Sequence, residues 1–371
     1  YRHNTRSNWQ STPSGQREDP DYLQGAIVAV ENRTGAIRCV VGGRDADESK
    51  FNRAIHARRQ IGSVFKPFVY LAAFDQGMRP DSYVDDSRIK PGEIRYAPRD
   101  WDPRNSSGKY LPTVTARQAL MESRNTSSVR IGDYAGMENV CSLAHRSFAI
   151  TVPSKASSYL GSWEATPEQV ASAYTIFPNA GTRYGPHFVS KILDSDGKEL
   201  WAHKPLGYEA VDRKGAAWTT SCILEDTTRS GTAASMRRQL GFQRPAGGKT
   251  GTTDGYQDAW FVGYSSGMTC AVWVGLDQPR SIMEGGYGAD LALPIWVKVM
   301  KTADRLGRYE FESMKAPVEM KTVRLCRSSG KHATPGCEHA QTAYDDTIPI
   351  DLEPRATDFC PRHPLRAIPV K

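Results

Sequence analysis

Residues 247–277, GGKTGTTDGYQDAWFVGYSSGMTCAVWVGLD, limit the possible folds more than any other part of this chain. Two apolar, β-type runs, DAWFVGY and MTCAVWVGL, are joined only by Ser265-Ser266-Gly267, a tight turn. A hairpin follows, and with it an antiparallel sheet. A second pair of β-type runs lies at the other end of the chain, in GAIVAVENRTGAIRCVVGG, around the turn residues Glu31 to Gly35. Helical patterns fill the middle. After Gly62 the run SVFKPFVYLAAFDQG has helical length and ends at Gly77, with Pro67 in its first turn where a missing N–H costs little. Further helices are predicted over TVTARQALMES, TSSVRIGDYAG, 167–177, 215–225 and 290–306, and another hairpin at FVSKILDSDGKELWA. Strands from both ends with helices between them predict an α/β fold of the α+β type: a mainly antiparallel sheet flanked by helices, with an all-helical subregion. Residues 79–112, rich in Pro, Asp, Arg and Gly, read as a long irregular excursion, and loops of that length are more often functional than idle. Residues 1–24 read as a linker, 25–314 as the main domain and 315–371 as a C-terminal extension.

Three short motifs carry chemistry. Ser63-Val64-Phe65-Lys66 opens the first apolar helix. Residues three apart share a helix face, so the Lys66 amine can reach the Ser63 hydroxyl. A serine is a weak nucleophile until a base takes its proton, and a lysine becomes that base when burial or a nearby cation lowers its pKa. The spacing itself is cheap, since Ser-x-x-Lys also begins at Ser87, Ser106, Ser195 and Ser328, all in polar, turn-like or Pro-adjacent settings. Ser123-Arg124-Asn125 is the chain's one Ser-x-Asn and stands at a break between two helical segments. Taken alone it reads as a helix stop and N-cap. Lys249-Thr250-Gly251 is the one Lys-Thr-Gly, on a predicted strand edge behind Gly247 and Gly248, where small residues let a ligand backbone approach.

Together, in this order, the motifs are the set found in β-lactamases and penicillin-binding proteins. The chain resembles the transpeptidase domain of class A, bifunctional penicillin-binding proteins, of the serine acyltransferase and β-lactamase superfamily. RQIGSVFKPFVYLAAFDQG, YAPRDWDPRNSSGKY, ALMESRNTSSVRI, GGKTGTTDGYQDAWFVGY and GGYGADLALPIW all carry the likeness, over about residues 25 to 300, and the Cys-bearing tail resembles an extension of some members. The resemblance implies a DD-transpeptidase that cross-links peptidoglycan stem peptides. Ser63 would be the nucleophile and Lys66 its base. Ser123 would relay a proton, Asn125 would bind Lys66 and the donor stem, and Lys249 would tune Ser123. Thr250 and Thr252, flanking Gly251, would hold the donor carboxylate, and the backbone N–H groups of Ser63 and Thr252 would form the oxyanion hole. β-Lactams would acylate Ser63, and cell-wall synthesis proteins would be partners. No cofactor or metal is needed for this chemistry. Arg124 stands where many serine β-lactamases have Asp, which favours a penicillin-binding protein. Other readings on the same scaffold are a DD-carboxypeptidase or β-lactamase-type hydrolase, and a β-lactam sensor or inactive scaffold.

Composition adds limits. The net charge is +7, but no Lys/Arg block exceeds the short His56-Ala57-Arg58-Arg59 cluster and no nucleic-acid module is visible, so no nucleic-acid partner is expected. No apolar run approaches the ~18 residues of a membrane helix, and the polar start lacks Met. A membrane anchor is therefore expected only in a segment outside this chain, in an inner-membrane-anchored parent with this part in the periplasm. Cys39, Cys141, Cys222 and Cys270 lie among apolar neighbours and read as buried thiols. Cys326, Cys337 and Cys360 crowd the tail, where a disulfide is favoured over zinc. His339 and His363 are near, but no tight finger spacing is apparent.

Overall fold

The computed structural model describes residues 3–16 and 20–364. In chain order its main elements are β1 (Gln24–Glu31), β2 (Ile37–Val41), α1 (Lys66–Asp75), α2 (Ala116–Met121), α3 (Asn125–Ala135), α4 (Met137–Phe148), α5 (Pro167–Tyr174), α6 (Lys214–Arg229), β3 (Gly247–Thr252), β4 (Asp258–Tyr264), β5 (Met268–Gly275), α7 (Leu293–Arg305), β6 (Met320–Cys326), α8 (Pro335–His339) and β7 (Ala343–Pro349). The central sheet has the order β3-β4-β5-β1-β2, antiparallel throughout. The two β-rich stretches, 24–41 and 247–275, thus meet in one sheet, as the two hairpins predict.

Side chains alternate across a strand, so each strand serves two cores. Ala26, Val28 and Val30 of β1, with Trp260, Val262 and Tyr264 of β4, face the helical core. Ala29, Ala259, Phe261 and Val272 face the other side, where Trp296 of α7 packs edge-on against Phe261. With both faces covered, β4 and β5 are buried along their whole length, which explains their unbroken apolar runs. α1 is buried from Lys66 to Phe74. A helix apolar on every side belongs at the centre of a core. α3, α4 and α6 surround it, and Phe68, with Phe65 just before the helix, joins Phe148, Trp163, Tyr174 and Phe177.

Two expectations need correction. The first 24 residues are not simply a tether: Thr5 caps a helix over Arg6–Ser11, Trp9 packs edge-on against Tyr22, and Arg6 pairs with Asp45 and Glu48. The 79–112 excursion is irregular over most of its length, as expected, and it is anchored. Tyr83–Asp85 pairs with Thr113–Thr115, and Asp86 and Asn105 are buried within it. Finally, the tail contains no disulfide: Cys326, Cys337 and Cys360 are free thiols. They converge on a common centre with His363, and the Cys326 and Cys360 sulfurs stand 3.5 Å apart, against about 2.05 Å for a bond. His339, the second histidine considered with these cysteines, is exposed. The extension folds as a β6–β7 hairpin over a small core of Val323, Leu325, Tyr344 and Ile348.

Candidate active site

Two close approaches bring Ser63 to the edge of the sheet. Gly62 takes φ +54°, a left-handed conformation suited to glycine, and a Cβ there would stand 3.3 Å from the Thr252 carbonyl oxygen. Across the contact, a Cβ on Gly251 would meet Val64 at 2.9 Å and the Ile61 oxygen at 3.1 Å. The glycine of the Lys-Thr-Gly strand therefore serves close packing against the serine segment. β3 is the outermost strand of the sheet, as expected for a strand lining a cleft. Ser63 is the second residue of a 3-10 turn, Gly62–Phe65, that runs directly into α1.

The second motif owes its shape to an unusual helix end. Ser123 N–H donates to the Leu120 oxygen and Arg124 N–H to the Ala119 oxygen, while Ser123 adopts φ +57°. This is a Schellman ending with serine at the position where glycine is usual. α3 starts afresh at Asn125, so Ser123 and Asn125 point into the same space. The Asn125 amide is oriented from both ends: Nδ2 donates to the Arg104 oxygen at 2.5 Å, and Oδ1 accepts from Lys66 Nζ at 2.6 Å.

Lys66 Nζ also donates to the Ser123 carbonyl at 2.6 Å and lies 3.2 Å from Ser123 Oγ. Its polar contacts among the described residues go to the second motif, with Ser63 three residues back along the chain. Burial, and after it the Lys249 charge, push the Lys66 pKa well down, with Asp86 opposing. Lys249 reaches Ser123 Oγ at 2.9 Å and its burial brings it to about 7. A neutral Lys66 has two N–H donors, one for each carbonyl oxygen, and a lone pair left over. Ser123 Oγ, accepting from Lys249, can then turn its own hydrogen toward that lone pair. Lys249, Ser123 and Lys66 thus form a directional hydrogen-bonded chain beneath the cleft.

The cleft has a volume of about 650 Å³ and is lined by Ser63, Ser123, Asn125, Thr250, Thr252 and residues of the 104–107 loop, among others. An arm of about 310 Å³ continues past Glu122 to Ser230–Thr232. Lys66 and Lys249 lie fully buried beneath its floor. Thr250 donates to the Thr232 hydroxyl at 2.9 Å, and Thr252 accepts from Gly288 N–H at 3.2 Å. Every residue singled out in the three motifs is thus brought to one place.

Several residues at the site were not visible in the sequence. Asp86 accepts from Ser127 at 2.8 Å, Thr126 at 2.9 Å, Leu111 N–H at 3.0 Å and the Arg124 guanidinium at 2.8 Å. Burial pushes this carboxyl up, but the donors outweigh it and hold its pKa below the usual value. Asn105 adds two bonds to Asp86 and accepts from Asn125 N–H at 2.7 Å. Arg124, the middle residue of the motif, is thus turned toward Asp86 and Glu122. Asp86, Asn105 and Thr232 belong to no motif, because their partners come from separate stretches of chain.

A buried helix led by Ser63 and set against the edge strand of an antiparallel sheet, with two buried lysines meeting at Ser123, is the arrangement of a penicillin-binding transpeptidase domain. Comparison with known proteins agrees. Residues 25–301 match the family described as the penicillin binding protein transpeptidase domain, and the chain belongs to that family. It is 40% identical over 292 residues to penicillin-binding protein 1A of Neisseria gonorrhoeae, covering 76% of this chain and 36% of that protein. It is 38% identical over 306 residues to penicillin-binding protein 1A of Aquifex aeolicus, covering 82% and 41%. The chain therefore spans well under half the length of these curated relatives. Among solved structures, penicillin-binding protein 1A from Haemophilus influenzae superposes with a TM-score of 0.77 at 26% identity, over 90% of this chain and 54% of that one. PonA1 from Mycobacterium tuberculosis in complex with penicillin V gives 0.68 at 28% identity, over 82% and 83%.

Proposed function

We propose that this chain is a serine-type D-Ala-D-Ala transpeptidase domain acting through a Ser63 acyl-enzyme. The observation that carries this reading is the buried Lys66, its pKa lowered, held by Asn125 and Ser123 one helical turn from Ser63. Lys66 takes the Ser63 proton as Oγ attacks the penultimate D-Ala carbonyl of a stem pentapeptide. The backbone N–H groups of Ser63 and Thr252 receive the developing oxyanion; a donor of this kind is worth about 3 kcal/mol in a well-studied serine protease. Ser123 passes a proton to the departing D-Ala amine. Thr250 and Thr252 hold the donor's terminal carboxylate. An amine from a neighbouring stem peptide then displaces Ser63, forming the cross-link and regenerating the hydroxyl.

A β-lactam enters as a mimic of the D-Ala-D-Ala end and stays on Ser63 when water cannot reach the ester. In this reading residues 25–314 are the catalytic domain and 315–371 an accessory extension. No helix among the described residues is long and apolar enough to cross a membrane. The domain would work in the periplasm, held at the inner membrane through another part of a longer parent and alongside cell-wall synthesis proteins.

Intact-mass spectrometry after benzylpenicillin treatment, with Ser63→Ala in parallel, tests the acylation step. Incubation with a stem pentapeptide and an acceptor amine then separates transfer from hydrolysis. A stable one-to-one adduct lost in the variant, with cross-linked product, is expected. An adduct that clears within seconds would indicate a hydrolase, and a stable adduct without turnover a sensor.

A further inference from the structure

In the C-terminal extension, three cysteines and a histidine converge. Cys326 ends β6, Cys337 lies in α8, and Cys360 and His363 come from the chain after β7. Their ligand atoms all lie within 4.8 Å of one another. The three thiols are buried, none more than 2% exposed. His363 Nδ1 stands 3.6 Å from the Cys326 sulfur, 3.6 Å from Cys337 and 3.5 Å from Cys360.

We propose that Cys326, Cys337, Cys360 and His363 form a structural zinc site that organises the C-terminal extension. A tetrahedral zinc with bonds of about 2.3 Å to sulfur and about 2.05 Å to nitrogen requires S···N edges of about 3.5 Å and S···S edges of about 3.8 Å. The three observed S···N distances meet the first requirement, and the Cys326–Cys360 separation of 3.5 Å falls close to the second. A disulfide would join two sulfurs and leave the third buried beside them. Three soft thiolates and one imidazole with tetrahedral spacing favour zinc over hard cations, and four protein ligands make a closed, non-catalytic site. On binding, Zn²⁺ replaces the three thiol protons, which are released, and the imidazole coordinates as the neutral base.

The backbone already has the form of such a centre. The chain reverses tightly after Cys326, where Gly330 N–H donates to the Cys326 oxygen at 2.8 Å and Cys326 N–H to the Lys331 oxygen at 2.9 Å. Cys360 N–H donates to the His332 oxygen at 2.9 Å, tying the last ligands to this turn. Thr342 Oγ1 lies 3.4 Å from both the Cys326 sulfur and His363 Nδ1. Thr334 caps α8 and donates to the His363 carbonyl. The site therefore closes the β6–β7 hairpin, α8 and the end of the chain on one another. Cys360-Pro-Arg-His363 is itself a tight C-x-x-H pair.

The test is metal content of the whole chain, purified under reducing conditions and reconstituted with Zn²⁺ alone, then with Co²⁺ alone. One zinc per chain should survive gel filtration, and Co²⁺ should give the intense visible bands of a tetrahedral thiolate site. Cys337→Ser and His363→Ala should lose the metal, while Cys141→Ser, outside the cluster, should keep it. Thr342→Val retains all four ligands and should weaken affinity by about tenfold, as removal of an outer hydrogen-bond partner does. The wild-type stoichiometry stands whether or not a ligand variant folds. Wild-type chain that retains no zinc, zinc retained equally in Cys337→Ser and His363→Ala, or a Cys326–Cys360 disulfide formed in the presence of zinc would each overturn the proposal.

Discussion

Lys249 Nζ stands 2.9 Å from Ser123 Oγ, so the lysine of the edge strand touches the serine of the helix break directly. Both lysines at this junction are fully buried, and the Lys249 charge acts on Lys66. Burial is the larger cause of the lowered Lys66 pKa, and the Lys249 charge is the second. Replacing Lys249 with Met removes only the second. Lys66 then titrates higher, and the acid limb of Ser63 acylation should move to higher pH while staying below the free-lysine value. Second-order acylation rates with a fluorescent penicillin, measured from pH 5 to 10, would show this; an unmoved limb would mean that Lys66 is not the titrating base.

The same pair predicts a stability profile. The Lys249 pKa is lowered from 10.5 to about 7 in the folded state. Between those values the unfolded chain holds a proton that the folded chain does not, so the wild type should gain stability as pH rises from 7 toward 10.5. Below pH 7 the full penalty of burying the charge applies. The gain cannot exceed about 1.4 kcal/mol per pH unit for one proton. Denaturant melts of wild type and Lys249→Met across pH 7 to 10 isolate it, because other titrating groups cancel in the difference.

Ser123 is held at φ +57° by the end of α2. A non-glycine residue there costs roughly 1–2 kcal/mol, part of which glycine would return as greater freedom in the unfolded chain. Ser123→Gly should thus be neutral to about 1 kcal/mol more stable. It also removes the hydroxyl between the two lysines, and acylation should fall by about 10²-fold or more. Thermal melting beside acylation kinetics checks both halves; loss of stability would show that the hydroxyl contacts outweigh the strained backbone.

How the sequence relates to this site differs from residue to residue. Ser63 and Lys66 were legible because a helix makes residues three apart neighbours, and their apolar surroundings announced burial. The convergence of Ser123 and Lys249 was legible only through resemblance, since no periodicity links residues 126 positions apart. The left-handed backbone at Ser123 was hidden, because glycine is the usual signal. α4, MENVCSLAHRSF, was passed over although one of its faces carries Val140, Leu143, Ala144 and Phe148 into the core. Asp86 was invisible because its donors belong to residues 105, 111, 124, 126 and 127. In the tail, the lack of finger spacing favours a disulfide on sequence grounds, and the convergence of four ligands from separate turns of chain becomes visible only in the fold.

Asp86 supplies a test of how the second motif is held. Its carboxylate is wholly buried, and it receives Arg124, Asn105, Thr126, Ser127 and the Leu111 N–H. Asp86→Ala leaves the buried Asn105, Thr126 and Ser127 donors without their acceptor and takes from Arg124 one of its two carboxylate partners, so it should cost about 3–5 kcal/mol. Asp86→Asn keeps the shape but loses the charge and half of the accepting capacity, so it should cost less. Asn105, released from Asp86, no longer fixes the Asn125 N–H, and Asn125 in turn holds Lys66. Acylation should therefore slow in Asp86→Asn beyond what its stability loss explains, with the penicillin adduct still forming on Ser63. Urea melts and acylation rates on the same samples decide the matter: a variant that acylates at the wild-type rate would make Asp86 a residue of the fold alone.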